Sequence, residues 1–183
     1  MKKLLIALLP LTLLLASCGN TAQPEKKPIG DTRFLKAYAC FYGAHYADRG
    51  IAQNVFDLDL YSAGIDLDST HHIVGTGSNL YFSDIFVSPS DNTLQPATYL
   101  SDTTGTEFTF LPGVDYEGNI SGAYILQITD GKLTSYTIFD EGTFTLLNDG
   151  DTAHINVSLK YRDQRLTKTY EAEYHGVIEY SKK

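Results

Sequence analysis

The sequence predicts an all-β domain, and three observations carry that prediction. Apolar and polar residues alternate along several runs, as in Phe56, Leu58 and Leu60 against Asp57, Asp59 and Tyr61. Asp-Gly pairs separate consecutive runs, and 13 Tyr and 9 Phe accompany recurrent Thr, Ile and Val. A period of two places one set of side chains in a core and the other in water. Asp-Gly supplies the positive φ values of a tight hairpin turn. Aromatic and β-branched residues suit a pleated surface. No window carries a comparable helical stripe.

The chain opens with Lys2 and Lys3, an apolar run from Leu4 to Leu15, and then Leu15-Ala16-Ser17-Cys18. This is the layout of an export signal. The run falls short of the about 20 residues that span a bilayer, and Pro10 interrupts it. Leu15, Ala16, Ser17 and Cys18 resemble the lipobox of bacterial lipoproteins. The resemblance implies cleavage before Cys18, acylation of Cys18 and attachment to a membrane by lipid. Gly19 after the cysteine is similar to lipoproteins sorted to the outer membrane, which makes the cell envelope the expected location. Residues 1–17 are thus expected to be a signal peptide. Residues 18–33, polar and broken by Pro24 and Pro28, are expected to be a flexible tether. Residues 34–183 are expected to be one domain.

Within that domain Asp130-Gly131 separates Ala123–Thr129 from Lys132–Phe139, and Asp149-Gly150 separates Thr143–Leu147 from Ala153–Tyr161. Arg162-Asp163-Gln164 turns the chain into a last run. There Tyr170, Ala172, Tyr174, Ile178 and Tyr180 share one parity, and Glu171, Glu173, His175 and Glu179 share the other. Consecutive hairpins make a largely antiparallel sheet. Around ten short strands must stack or close to hide their apolar faces. The expected arrangement is an antiparallel two-sheet β-sandwich, with a calycin-like β-barrel as the alternative.

Several segments are similar to small β-rich lipoproteins of Bacteroidetes-type bacteria. They are Phe41-Tyr42-Gly43, Gly75-Thr76-Gly77, Leu94-Gln95-Pro96-Ala97-Thr98-Tyr99 and the closing Tyr170–Gly176. The resemblance implies a secreted β domain without an assigned activity. Asp68-Ser69-Thr70, Asp102-Thr103-Thr104 and Asp151-Thr152-Ala153 each resemble the Bacteroidetes-type O-glycosylation signal. The implied acceptors are Ser69 or Thr70, Thr103 and Thr152.

Charge narrows the partners. The chain carries a net −8, and losing Lys2 and Lys3 with the leader leaves 22 acidic against 12 basic residues. Such a chain repels phosphate backbones, which argues against nucleic acid. Cys40, between Ala39 and Phe41, reads as a small buried hydrophobe.

Chemistry-bearing residues are sparse. His71 and His72, with Asp66 and Asp68, offer nitrogen and oxygen donors. Adjacent strand residues face opposite ways, however, so only a loop could bring both histidines to one ion. Asp115 and Glu117 invite calcium, which needs about six to eight oxygens, without EF-hand spacing. Asp57 and Asp59 read as the wet face of a strand. Asp84 stands in the apolar run Tyr81–Val87, where burial would raise its pKa and suit it to general-acid work, but where a bulge or a register change turning it outward is the expected outcome. There is no serine elbow, phosphate loop or dinucleotide fingerprint. The expected activity is therefore binding without catalysis or cofactor. Tyr42, Tyr46, Tyr61 and Tyr116, at strand ends, in turns or on the polar parity, are the expected contacts for a glycan or another exported ligand. The alternative is a structural or adhesive component that docks protein partners of the envelope; a hydrolase ranks below both.

Overall fold

The computed structural model describes residues 29–183. Their strands run as follows: β1 (Arg33–Phe34), β2 (Lys36–Gly43), β3 (Asn54–Tyr61), β4 (Ile65–Leu67), β5 (Ile73–Gly75) and β6 (Gly77–Val87). Then come β7 (Ala97–Ser101), β8 (Thr109–Phe110), β9 (Val114–Tyr116), β10 (Asn119–Ser121) and β11 (Ala123–Thr129). The last five are β12 (Lys132–Ile138), β13 (Glu141–Asp149), β14 (Thr152–Asp163), β15 (Leu166–Gly176) and β16 (Ile178–Lys182). A single 3-10 turn, Ala47–Arg49, is the only helical element among the described residues. The protein is all-β.

The hairpins form where turn chemistry places them. Asp130 and Gly131 take φ 51° and 71° between Thr129 and Lys132, the left-handed pair of a two-residue turn. Gly150 at φ 60° turns β13 into β14, and Gln164 at φ 58° turns β14 into β15.

One sheet holds twelve strands, in the order β1-β15-β14-β13-β7-β8-β6-β3-β2-β16, with β11 and β12 branching from β6. The strands do not divide into the two facing sheets of the expected sandwich; they curl as a half-barrel. The length of β6 explains the difference. One edge of this eleven-residue strand takes β11 along Gly77–Phe82 and β8 at Ile85–Phe86, while the other edge takes β3. The sheet therefore branches and bends at β6. At the path's two ends, β1 runs parallel beside β15 and β16 parallel beside β2.

The inner face is filled by its own side chains. Phe82 meets Phe144 at 4.9 Å and Phe110 at 5.2 Å, and Tyr99 stacks on Phe144 at 4.5 Å. Leu58, Leu60, Leu80, Ile125 and Ile155 are wholly buried around them. Burying such side chains contributes about 1.5–3 kcal/mol each, enough to make this face the source of the fold's stability.

Residues 29–33, expected as the end of a tether, lie on the domain instead. Ile29 packs against the core, its carbonyl accepts from Gln127 at 2.7 Å, and the Asp31 amide donates to Ser78 Oγ at 2.9 Å. Tyr170 donates its hydroxyl to the Asp31 carbonyl. Buried or half-buried partners on strands β6, β11 and β15 give this polar stretch fixed contacts that its composition does not advertise. Cys18 and the signal segment fall outside the described residues.

Candidate functional site

The outward parity of β2, β3, β6 and β11 carries Tyr38, Cys40 and Tyr42, then Asp57, Asp59 and Tyr61, then Asn79 and Tyr81, then Tyr124. Register alone brings these onto one face, because alternate residues of neighbouring strands stand side by side. One end of the face is roofed. The β4–β5 hairpin lays Ile65 over Tyr61 and Ile128, with Tyr38 packed against them. Gly75 at φ 91° and Gly64 make that fold-back possible. A Cβ on Gly75 would stand 2.1 Å from the Gly64 carbonyl oxygen, and one on Gly64 1.9 Å from that of Thr76.

This roof corrects two expectations. Tyr61 is 6% exposed and is a core residue of this smaller cluster, not the expected exposed aromatic. Asp57 and Asp59 are not a wet face, because tyrosine rings and the hairpin cover the outer side of β3. Burial pushes the Asp59 carboxyl up to about 6, against the lowering effect of hydrogen bonds from Asn79 and Tyr61. Asn79 donates to Asp59 Oδ1 at 3.0 Å.

The uncovered end of the face centres on Asp57. Its Oδ2 accepts the hydroxyls of Tyr81 at 2.6 Å and Tyr42 at 2.9 Å, and its Oδ1 accepts the Asp84 amide at 3.1 Å. Asp84 occupies a bulge: Ser83 and Asp84 together oppose Asp57 between the pairs Phe82–Leu58 and Ile85–Phe56. Its φ of 52° is left-handed, a region Asp tolerates better than branched residues do. The bulge sits where β6 changes neighbours. There the Gly122 amide donates to Ser83 Oγ at 2.9 Å and the Ser83 amide to the Gly122 carbonyl at 3.2 Å. The expected outward turn of Asp84 is thus present.

Tyr46, just ahead of the 3-10 turn, donates to Asp84 Oδ1 at 2.7 Å. Its ring lies 6.1 Å from Phe86 and 4.7 Å from His45, with Arg49 5.2 Å from its centroid. Burial, and then the bond to Asp84, pushes its hydroxyl up to about 12. Burial and Asp57 raise the Tyr42 and Tyr81 hydroxyls further still. Both therefore stay protonated and donate. Lys183 reaches Tyr42 from the chain's end, 3.2 Å from its hydroxyl and 5.1 Å from its ring centroid. Asp84 Oδ2 has no hydrogen-bond partner among the described residues.

The face therefore presents half-buried aromatic rings held by carboxylates, one carboxylate oxygen free to accept, and two cations over the rings. Asp57 accepts from three donors, which fix its carboxylate at the centre of the face. Cys40 lies here too. It pairs with Asp57 across β2 and β3 and is half-buried on the outer face, whereas the apolar flanks Ala39 and Phe41 suggested the core.

The remaining expected residues are not brought to this face. Tyr116, 71% exposed, belongs to the separate β9–β10 hairpin. Asp115 there accepts the Tyr136 hydroxyl at 2.6 Å and the Gly118 amide at 2.9 Å, and Glu117 and Gly118 form the turn at φ 52° and 85°. That carboxylate organises a turn. His71 and His72 lie exposed in the β4–β5 loop, where Asp68 Oδ1 accepts the amides of Thr70 and His72 at 2.8 and 3.0 Å. Among the described residues no group of three or more His, Cys, Asp or Glu converges as a metal site. Ser69, Thr70 and Thr103 are exposed in loops, while Thr152 is half-buried at the start of β14. Sequence reasoning missed Tyr81 and Tyr124, whose rings pack at 4.9 Å, because they sit inside apolar runs. Their shared outward parity with Asp57 was the available signal.

Comparison with known proteins finds no matching family model, no matching curated protein and no matching solved structure. No described helix is long and apolar enough to cross a membrane.

Proposed function

We propose that this chain is a lipid-anchored binding module of the cell envelope, held at the outer membrane through Cys18, and that it binds a glycan without turning it over. The observation that supports the reading most is the Asp57–Asp84 cluster with Tyr42 and Tyr46. Sugar rings present C–H faces to aromatic rings and hydroxyl pairs to carboxylates, and this face offers both. The net negative charge disfavours anionic polymers and nucleic acid. We read the curled sheet as a calycin-like barrel whose interior is occupied by its own aromatics, so the ligand binds outside it. A glycan array probed with the purified chain tests the proposal. Binding to neutral oligosaccharides that weakens in Tyr42→Ala and Tyr46→Ala supports it. Absence of binding across neutral glycans removes it.

One observation favours a second reading, docking of an envelope protein. Strand β12 pairs with β11 alone and exposes Leu133 and Tyr136 along a seven-residue edge. An open edge accepts an added strand. Capture of one envelope protein, lost in Ser135→Pro, would select this reading over the first.

A further inference from the structure

A second group of chemistry-bearing side chains lies on β14 and β15, apart from the tyrosine face. His154 and His175 are direct cross-strand partners, and their rings stack at 3.8 Å between centroids with 23° between planes. Neither ring nitrogen has a hydrogen-bond partner among the described residues. Both rings line a cleft of about 210 Å³ together with Asn156, Glu173, Arg33 and Leu35. Leu147, the cross-strand neighbour of His154 on the other side, is 53% exposed, and Leu35 is 50% exposed. The pair is thus flanked by apolar side chains on the solvent face of the sheet.

We propose that His154 and His175 form a two-nitrogen site for a divalent transition ion, with Cu²⁺ held more tightly than Zn²⁺. Imidazole suits these borderline ions, and the ordinary affinity order places Cu²⁺ above Zn²⁺. An ion about 2.0–2.1 Å from each nitrogen needs the two nitrogens about 3 Å apart. Centroids 3.8 Å apart place both rings within reach of one ion, and the two side chains must leave the stack by turning about χ1 and χ2 until a nitrogen of each faces the ion, with the strands in place. The register enforces the pairing, since a one-residue slip of β15 would turn His175 into the core. Water fills the other positions, because no third ligand converges on the pair. Sheet packing sets the register that pairs the two histidines, and the ring nitrogens without protein partners and the cleft beside them are further observations that it does not require.

Calorimetric titration of the purified full chain with CuCl₂, and separately with ZnCl₂, tests the site. One equivalent of Cu²⁺, bound more tightly than Zn²⁺, is the expected result. His154→Ala should weaken it at least about tenfold, since loss of a ligand costs no less than loss of a partner behind it. His175→Phe keeps an aromatic ring in the stack while removing its nitrogens, and should weaken Cu²⁺ equally with thermal unfolding unchanged. A His71→Ala/His72→Ala double variant should bind as the parent does. The electron paramagnetic resonance of the Cu²⁺ form should show two nitrogen couplings. Unchanged binding in His175→Phe, loss of the site in the His71/His72 variant, or no Cu²⁺ binding would overturn the proposal.

Discussion

The Asp84 backbone amide donates to the Asp57 carboxylate at 3.1 Å, and that bond joins a left-handed bulge on β6 to the centre of the tyrosine face on β3. It ties the branching of the sheet to the geometry of the candidate site. Removing either partner should therefore disturb both.

Asp57→Ala leaves two tyrosyl hydroxyls and one amide without an acceptor in a half-buried setting. Each orphaned group costs on the order of 1 kcal/mol or more, so the variant should lose about 3 kcal/mol. Tyr81→Phe removes one of the three bonds and should lose about 1 kcal/mol. Urea unfolding monitored by circular dichroism gives both numbers. Equal stability of Asp57→Ala and the parent would show that the network is not structural.

The bulge conformation gives a second prediction. Asp84→Gly relieves the positive φ but deletes the acceptor of Tyr46, whereas Asp84→Val deletes the acceptor and adds strain in the left-handed region. The valine variant should melt lower than the glycine variant, by about 1–2 kcal/mol in unfolding free energy. Equal melting would mean that β6 straightens at no cost.

The pH dependence of stability should carry the signature of Asp59. Burial raises its folded-state value to about 6 from an ordinary 3.8, so the fold binds that proton more tightly than the unfolded chain does. Its contribution is complete below about pH 4 and is lost as pH rises through about 6. Asp59→Asn cannot ionise. The parent should therefore lose about 2 kcal/mol relative to Asp59→Asn between pH 4 and pH 7, as measured by urea unfolding at each pH. A difference that grows in the parent's favour with rising pH would contradict the burial of Asp59.

Much of the fold was legible because its causes are local. Alternation in Ile155, Val157 and Leu159 marked β14, and Asp130-Gly131 marked the β11–β12 turn to the residue. The branching at β6 was not legible, since it depends on which distant strands, β8 and β11, claim one edge of a long strand. The same limit applies to the site. Parity placed Tyr61 and Asp59 outward correctly, but outward meant water only until the β4–β5 hairpin covered them. The His154–His175 pair could have been found by counting back from the turn after Asp163, which fixes the register of the last hairpin.

Cys40 offers a chemical reporter of the face. It is half-buried opposite Asp57, so a thiol reagent should label it more slowly than a free thiol, and a bound glycan should slow it further. Labelling that is indifferent to a ligand known to bind would place that ligand elsewhere.

The most direct test of the central claim is a nuclear magnetic resonance titration of the chain with the neutral oligosaccharide that binds best. The account predicts shifts concentrated at Tyr42, His45, Tyr46, Asp57, Tyr81 and Asp84, with affinity falling about fivefold in Tyr46→Ala, in keeping with the roughly 1 kcal/mol that an aromatic contact contributes. Shifts confined to β12 or to the β9–β10 hairpin, with Tyr46→Ala binding as the parent does, would contradict it.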